Sequence, residues 1–272
     1  NWNTPILISP HDSDVIYQGA NVLLRSSFRG EKWEVISDDL TKNDVTKFGG
    51  VEVRTYGSIT SFDESAVTQG IFWVGTDDGN VQISKDDGEH WKLLNVNIPN
   101  NPEYWVSRII ASNHHDGTAY LTFTGRHRSD YRALVYKTSD FGESWRSIAN
   151  NLPNESVNVI REDRKNKDLL FIGTDRTVYV SVDGGQNWSE LKNNLPTIPI
   201  NDLVIHPREN DLVVGTMGRG FYITDISLFQ ELSAEVQTKK IQLEAEFKTN
   251  TALAGKNEIE YKAAQKELEG LD

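Results

Sequence analysis

The chain of 272 residues contains no cysteine and a single methionine. Without cysteine it can form neither disulfides nor thiolate metal sites, although this absence does not decide the compartment. No apolar run is long enough to cross a bilayer, so we expect no membrane span. The chain opens with Asn1 instead of methionine, which we interpret as a processed or truncated start.

Basic residues are also scarce. Lys and Arg number 28 against 40 Asp and Glu, which gives a formal net charge of −12. A protein that binds DNA or RNA needs a positive surface for the phosphate backbone, and an anionic membrane attracts basic segments. The charge balance therefore argues against nucleic acid and anionic membranes as partners.

A short hairpin motif is repeated along the chain. It has the pattern Ser/Thr-x-Asp-x-Gly-x-x-Trp and occupies residues 84–91, 138–145 and 181–188. A degraded copy at residues 26–33 has Phe28 where the aspartate belongs. Self-similarity of this kind, with a period of about 40–60 residues, indicates a repeat architecture.

Each residue type of the motif suits a turn between two β-strands. The Asp carboxylate can accept backbone N–H groups just ahead of it, the Gly tolerates a positive φ, and the Trp buries a large apolar surface. Alternating apolar residues precede the second and fourth copies, as in strands. We expect structural roles for Asp86, Gly88, Trp91, Asp140, Gly142, Trp145, Asp183, Gly185 and Trp188.

The motif resembles the Asp-box, or BNR, repeat of β-propeller proteins. Those include sialidases, two-propeller xyloglucan-cleaving enzymes and sortilin-type sorting receptors. The resemblance implies that each box lies at the outer rim of a blade, between its third and fourth strands, away from ligands. It predicts an all-β fold of four-stranded antiparallel propeller blades with Asp-box hairpins.

Aligning the repeats gives five blade-like units within residues 1–232, of which the fifth has no box. Five units rarely close a ring, so we expect the remaining propeller blades or a partner chain to cover the open strand edges. Residues 233–272 are rich in Glu, Lys, Gln, Ala and Leu, which predicts a helical tail or a linker to a further domain.

Further phrases, among them residues 73–79 and 215–222, are similar to the mid-propeller segments of large, secreted, sortilin-like bacterial proteins. Those proteins are often labelled glycosyl hydrolases on propeller similarity alone. The resemblance covers roughly residues 1–232. It implies an extracytoplasmic protein, secreted, periplasmic or at the cell surface, whose further N-terminal blades complete the ring.

The third repeat carries an insertion at residues 124–131 that departs from the compact connections of the other repeats. Long loops often carry function, and two guanidinium groups can hold a carboxylate. The candidate ligand-binding residues here are Arg126, His127, Arg128, Asp130 and Tyr131. The alternative is a solvated loop whose arginines pair with Asp130.

A second candidate group of ligand-binding residues is Arg108, Arg161 and Arg219, at comparable places in three repeats. They resemble the arginine cluster that sialidases direct at a carboxylate, although their spacing fits no single motif. Ion pairs between blades, for example with Asp202, are the ordinary alternative.

Chemistry beyond binding has little support in the sequence. His114, His115 and Asp116 fall in a turn and are not expected to hold a metal, and no cofactor motif is present. No residue can be assigned a catalytic role. We expect a binding or scaffold module for a protein, peptide or glycan. The alternatives are a glycoside hydrolase whose active site further blades complete, and a structural subunit of a cell-surface assembly.

Overall fold

The computed structural model describes residues 3–47, 56–192 and 194–232. The predicted helical tail at residues 233–272 lies outside these ranges. The described part of the chain ends in a short α-helix at residues 227–232. No helix within the described ranges has the length and apolar character needed to span a bilayer.

The described part of the chain forms five antiparallel sheets in sequence, four with four strands and the last with three. Blade 1 contains β1 (Ile6–Ile8), β2 (Ile16–Gly19), β3 (Leu23–Ser26) and β4 (Glu34–Val35). Blade 2 contains β5 (Ile59–Glu64), β6 (Phe72–Thr76), β7 (Val81–Ser84) and β8 (Lys92–Leu93). Blade 3 contains β9 (Trp105–Ala111), β10 (Ala119–Gly125), β11 (Asp130–Thr138) and β12 (Arg146–Ser147). Blade 4 contains β13 (Val157–Glu162), β14 (Leu170–Thr174), β15 (Val178–Ser181) and β16 (Ser189–Glu190). Blade 5 contains β17 (Ile200–Ile205), β18 (Asp211–Thr216) and β19 (Phe221–Asp225).

The predicted all-β fold of four-stranded units is confirmed, and within the described residues the unit without a box has three strands. The first strands of consecutive blades are neighbours, since β9 contacts both β5 and β13, and β13 contacts β17. Side chains join them: Ser61 Oγ accepts the Ile109 N–H at 3.0 Å, and Ser107 Oγ donates to Val157 O at 2.7 Å. These inner strands line the central channel.

The hydrophobic core lies between neighbouring blades, and the box tryptophans contribute to it. Trp145 of blade 3 meets Trp73 of blade 2 edge to face, with ring centroids 6.0 Å apart. Trp188 of blade 4 is buried, and its Nε1 donates to Ile148 O after blade 3 at 2.7 Å. Trp33 of blade 1 is exposed, because no described blade precedes it. Trp145 and Trp188 are therefore buried by the preceding blade, whereas Trp91 is half-buried and its Nε1 donates to Gly88 O of its own turn at 3.0 Å.

Antiparallel strand order separates the turns onto two faces. The box turns lie beside the turns between first and second strands, on what we call the box face. Backbone bonds join them: Asp87 N to Gly70 O, Phe141 N to Gly117 O, Gly184 N to Asp168 O and, in the boxless blade, Ile226 N to Asn210 O. The turns between second and third strands, and the links between blades, lie on the opposite face, which we call the loop face.

Candidate functional site

The three intact Asp boxes use their carboxylates to close turns. In each box the Asp Oδ1 accepts, at 2.9 Å, the backbone N–H of the residue four positions later, namely His90, Ser144 or Asn187. The hydroxyl of the first box residue donates to the same oxygen and accepts the N–H of the box glycine. Bonds from the backbone and ring of His90 hold the pKa of Asp86 below its ordinary value. The box carboxylates are thus engaged within their own turns.

The histidine-rich turn of blade 3 also has a structural contact. His114 Nε2 donates to the backbone oxygen of Asp163 in blade 4 at 2.9 Å, which links the two blades. Elsewhere Asp86, Glu89 and His90 bring possible ligand atoms within 4.8 Å of one another. All three are exposed and belong to a box turn, so they give no reason to assign a metal.

The connection between β10 and β11 differs in form from the predicted insertion. Gly125 still pairs with Asp130, so β10 and β11 extend toward the loop face and leave only residues 126–129 between them. A 3-10 turn over Arg126–Arg128 and a left-handed Ser129 (φ 58°) complete the reversal. The extra residues of the third repeat therefore lengthen β10 and β11, and the connection between these strands is short.

The charged side chains of this connection already have partners. Arg126 Nη1 lies 3.1 Å from Oδ1 of Asp175 in blade 4. Asp130 is paired with Arg132 at 2.6 Å, and hydrogen bonds from Arg132 lower the pKa of Asp130 to about 2. Arg132, and neither predicted arginine, is thus the ion-pair partner of Asp130. Arg126 is bound to blade 4, and Arg128 lies over Tyr104, so the two arginines do not converge on one carboxylate as predicted.

The β10–β11 connection forms one wall of a pocket on the loop face with a volume of about 330 Å³. The His127 ring stacks on Trp105 with centroids 5.5 Å apart and planes 9° apart. The Arg128 guanidinium lies 5.6 Å from the centre of the Tyr104 ring. Tyr131 is exposed nearby along β11. The lining residues are Tyr56, Asp77, Glu103, Tyr104, Trp105, Thr124, Gly125, His127 and Arg128.

The opposite wall of this loop pocket is held by hydrogen bonds. Asp77 Oδ1 accepts the backbone N–H groups of Gly57 at 2.9 Å and Ser58 at 2.8 Å. Glu103 is paired with Lys42 at 3.2 Å. One wall of the loop pocket thus has a ring stack and a cation–π contact, and the other has the hydrogen-bonded carboxylate of Asp77. The pocket is preformed and has the size of sites that hold small ligands or peptide side chains.

A second cavity, of about 630 Å³, opens on the channel and is lined by the inner strands of all five blades. Its charged lining residues are Asp63, Glu64, Arg108, Arg161, Glu162, Arg164 and Asp202. This channel cavity shares no lining residue with the loop pocket.

Two of the predicted arginines meet in the channel cavity. Nη2 of Arg108 and Nη2 of Arg161 lie 3.0 and 2.9 Å from the same oxygen, Oδ1 of Asp202. Arg161 also donates from Nε to Leu203 O at 2.6 Å and from Nη1 to Ile160 O at 3.3 Å. Burial, together with the charge of Arg108, lowers the pKa of Arg161 to about 10, so it stays charged at neutral pH.

The third predicted arginine lies elsewhere. Arg219 is in the turn between β18 and β19 on the loop face, whereas Arg108 and Arg161 are within inner strands. Its place in the repeat is therefore not comparable to theirs. Arg219 does not line the channel cavity, which contains two of the three predicted arginines.

Asp63 is a strongly perturbed carboxyl of the channel cavity. Its Oδ2 accepts the N–H of Ala111 at 3.0 Å, across the junction of blades 2 and 3. Burial raises the pKa of Asp63 to about 6, although the Ala111 N–H and the charges of Arg161 and Arg108 act in the opposite direction. Asp63 therefore changes charge close to neutral pH.

The other two carboxylates of the cavity join blades, a role that sequence reasoning missed. Glu64 Oε2 accepts the hydroxyl of Ser9 in blade 1 at 2.6 Å. Glu162 Oε1 accepts the hydroxyls of Ser112 at 3.0 Å and Tyr120 at 2.9 Å, both from blade 3. The available signal was a serine just after the inner strand of one repeat and a glutamate ending the inner strand of the next.

Asp63→Asn is expected to raise the free energy of unfolding by about 1–2 kcal/mol near pH 7.5. The folded pKa of about 6 lies above the ordinary value of 3.8, so the charged carboxylate destabilises the fold above pH 6. That cost declines as the pH falls from about 6 toward 4, because the folded state then holds the proton. Urea denaturation near pH 7.5 and 4.5 measures the difference.

The gain from Asp63→Asn should be less than half as large near pH 4.5. Exposed Asp38 offers the control, and Asp38→Asn should change stability little at either pH. An equal gain from Asp63→Asn at both pH values would show that the carboxyl has an ordinary pKa.

Comparisons with known proteins agree with this fold. Residues 133–227, in blades 3 to 5, match the family described as sortilin, neurotensin receptor 3 (Sortilin-Vps10). The resemblance to sortilin-like Asp-box propellers is thereby confirmed. A search of curated protein sequences finds no match.

Solved β-propeller structures superpose on most of the chain. The GH74 xyloglucanase from Xanthomonas campestris is 12% identical with a TM-score of 0.61, over 82% of this chain and 36% of that one. The extracellular domain of a two component system from B. thetaiotaomicron is 15% identical with a TM-score of 0.54, over 78% and 25%. YCF48 from Cyanidioschyzon merolae is 16% identical with a TM-score of 0.51, over 81% and 66%. The chain thus spans only about a third of the xyloglucanase, and identities this low show the fold alone.

Proposed function

We propose that this propeller is an extracytoplasmic binding module and that the loop pocket beneath the β10–β11 connection is its ligand site. The observation that carries the proposal is the preformed pocket on the loop face, with the stacked His127 and Trp105 rings and with Arg128 over Tyr104. Binding sites are usually concave, mostly apolar and equipped with a few fixed polar groups. The loop pocket has each of these properties.

The ligand that fits best is a short protein or peptide segment. Aromatic rings accept an apolar or flat side chain, and the pocket also presents the charged groups of Arg128 and Glu103 to a peptide backbone or a polar side chain. Arg126, tied to Asp175, and Tyr131 flank the entrance and would contact the ligand beyond the pocket. A glycan is the second ligand class with this chemistry, since sugars also pack on aromatic faces.

Peptides selected from a random phage-displayed library are expected to depend on the pocket. His127→Ala and Arg128→Ala should each weaken a selected peptide by about tenfold or more, since aromatic and Arg contacts dominate small interfaces. Both side chains are exposed, so the fold should be kept. Titration of the purified chain with the synthetic peptide measures the affinity.

Lys85→Ala is the matched control, because Lys85 makes a similar contact with Phe141, 5.1 Å from its ring centre, on the box face. Its affinity for the peptide should equal that of the wild type. Unchanged affinity in Arg128→Ala, or an equal loss in Lys85→Ala, would remove the loop pocket from the proposal. A glycan from an array that depends on the same two residues would keep the site and change the ligand class.

The side of blade 5 that faces away from blade 4 supports the proposal that further blades or a partner chain extend the propeller. Val178 and Val180 of blade 4 are buried against blade 5, at 0% and 5% exposure. The equivalent residues of blade 5 by strand register are Phe221 and Ile223, which are 79% and 66% exposed. Apolar residues at the same strand positions support the proposal that this side of blade 5 is a junction surface. Further propeller blades or a partner chain would cover it.

Two further parts of the proposal concern domain organisation and location. Residues 1–232 would form the propeller part, and residues 233–272 a helical tail that docks on a neighbouring domain or partner. The sortilin-like match and the extracellular domain of the B. thetaiotaomicron protein support an extracytoplasmic location.

A glycoside hydrolase is favoured less. Such an enzyme needs two carboxyl groups free to act across a sugar ring. In the channel cavity Glu64 and Glu162 are engaged between blades, and Asp202 is held by two arginines. Asp63, the fourth carboxyl of this lining, accepts the Ala111 N–H and so has no free carboxyl partner there. Phe62 is the aromatic side chain that contributes to the described lining, and it is buried. The half-buried rings of Tyr104 and Trp105 lie instead in the wall of the loop pocket.

A further inference from the structure

The third strand of blade 3, β11, begins earlier than its counterparts in the other four-stranded blades. In each of these blades the residue just after the fourth strand donates its backbone N–H to the third strand. The acceptors are the carbonyl oxygens of Leu23, Val81, Val135 and Val178. The third strands of blades 1, 2 and 4 begin at that residue, whereas β11 begins five residues before it, at Asp130. Residues 130–134 therefore extend past the fourth strand of their own blade.

The outward backbone groups of this extension lack partners. Val135 directs its carbonyl oxygen outward, where it accepts the Ile148 N–H at 2.9 Å. Alternate residues of a strand point the same way, so Tyr131 and Ala133 also direct their N–H and C=O groups outward. The fourth strand, β12, pairs with β11 only further along, at two positions. Among the described residues, no other segment forms a backbone hydrogen bond with Tyr131 or Ala133.

Blades 1 and 2 close the corresponding edge with a side chain, and blade 3 does not. The Leu23 N–H donates to Ser37 Oγ at 2.8 Å, and the Val81 N–H donates to Asn95 Oδ1 at 2.8 Å. Ala149 holds the equivalent place in blade 3, and its methyl group cannot accept a hydrogen bond. An uncovered strand edge of this kind is a template for pairing with another chain.

The surface beside this edge is basic, although the chain as a whole is acidic. Residues 126–137 contain four basic side chains and one acidic one, whereas the whole chain has 28 basic and 40 acidic residues. The Arg132 side chain is 64% exposed, and its Nε and Nη2 donate to Asp130. Arg146 on β12 is exposed as well. Alternate residues of the extension thus offer a guanidinium on one side of the sheet and the half-exposed Tyr131 ring on the other.

We propose that the open edge, residues 130–134 of β11, binds an extended segment of a partner protein as an added β-strand. Strand addition takes its affinity from main-chain hydrogen bonds and its specificity from alternate side chains. An acidic residue of the segment would lie beside Arg132, and apolar residues beside Tyr131 and Ala133. The expected partner segment therefore alternates acidic and apolar residues. None of residues 130–134 lines the loop pocket, so either site can fail without the other.

The probe is an acetylated and amidated peptide, Thr-Val-Glu-Val-Glu-Val-Thr, titrated by NMR into the full chain at low salt. Its counterpart has lysine in place of both glutamates. The glutamate peptide should bind about threefold or more tightly than the lysine peptide, because its charge complements the surface. Bound peptide should also slow hydrogen exchange at the N–H groups of Tyr131 and Ala133, which then donate to it. Absent binding, equal binding of both peptides or binding without this protection would each overturn the proposal.

Methylation of the peptide backbone tests whether the segment binds as a strand. In an added strand, every second peptide N–H faces the open edge and the others point away from it. Two versions of the glutamate peptide are made, each methylated on one alternate set of amide nitrogens. One version should lose about tenfold or more in affinity, and the other should bind nearly as well as the parent peptide. Equal losses in both versions would exclude an added strand.

Variants of the chain decide whether the open edge is the site. Arg132→Glu should weaken the glutamate peptide and strengthen the lysine peptide, each by about threefold. Such a gain of binding cannot arise from misfolding. Tyr131→Pro removes an outward N–H and should abolish binding, whereas Tyr131→Ala keeps that N–H and should retain most of it.

The matched control is Arg208→Glu, which makes the same charge change at an exposed arginine on the box face of blade 5. It should leave the preference between the two peptides unchanged. His127→Ala should also leave it unchanged, which separates the open edge from the loop pocket. An unaltered preference in Arg132→Glu, or an equal shift in Arg208→Glu, would overturn the proposal.

Discussion

Replacing Trp188 by alanine is expected to lower the free energy of unfolding by about 3–5 kcal/mol. The side chain is 4% exposed and lies in the core between blades 3 and 4, with Ile110, Tyr120 and Ile148 among its neighbours. Truncation leaves a large cavity there and removes the donor to Ile148 O, which then loses its partner. Chemical denaturation of the purified variant measures the change.

Trp33 provides the matched control within the same repeat motif. It occupies the equivalent position in blade 1 but is 41% exposed, since no described blade lies before it. Trp33→Ala should cost less than about 1 kcal/mol. If the two substitutions cost the same, the box tryptophans would stabilise their own turns and not the junctions between blades.

Gly173→Ala is expected to destabilise the chain by about 1–3 kcal/mol, as overpacked cores do. A Cβ at Gly173 would lie 2.6 Å from Cγ2 of Ile200 in blade 5 and 2.8 Å from Cγ1 of Val159. Both neighbours are β-branched and buried, so neither can move away cheaply. Inner-strand packing between blades 4 and 5 is what the substitution disturbs.

Gly215 holds the same strand position in blade 5 and makes an internal comparison possible. A Cβ there would meet nothing closer than the Asp202 carbonyl oxygen, at 3.4 Å. Gly215→Ala should therefore change the stability of this chain by less than about 0.5 kcal/mol. Comparable losses at Gly173 and Gly215 would mean that blade 5 is packed on both sides.

The sequence predicted those parts of the fold that depend on local chemistry. A box closes its turn with residues at most five positions apart, so Asp140 or Asp183 could be interpreted from the motif alone. Even the degraded copy keeps part of this geometry. The N–H of Gly30 still donates to Ser26 Oγ at 2.9 Å, although Phe28 replaces the aspartate.

The channel cluster could not be predicted, because it depends on how different blades align. Register shifts within the inner strands, for example between Val157 and Val159, change which side chains face the channel. Arg161 therefore reaches Asp202 one blade further on, whereas Arg219 remains in a turn of the loop face. Hydrogen bonds between repeats about 50 residues apart, such as Ser112 to Glu162, leave only a weak pattern, a serine after one inner strand and a glutamate at the end of the next.

The connection between β10 and β11 in blade 3 was also only partly predictable from the sequence. The sequence predicted a long loop here, but the connection is short, because Gly125 still pairs with Asp130, which is a property of the sheet. The partners of its side chains, Asp175 for Arg126 and Trp105 for His127, come from the next blade and from the inner strand. Sequence position alone could not supply them.

The most direct test of the binding proposal follows the indole resonances of the chain by NMR while a library-selected peptide is added. Trp105 lines the loop pocket, whereas Trp145 and Trp188 are buried at blade junctions near the box face. The binding proposal predicts that the Trp105 indole shifts with peptide concentration and that the two box indoles do not. A peptide that shifts the box indoles and leaves Trp105 unchanged would contradict it.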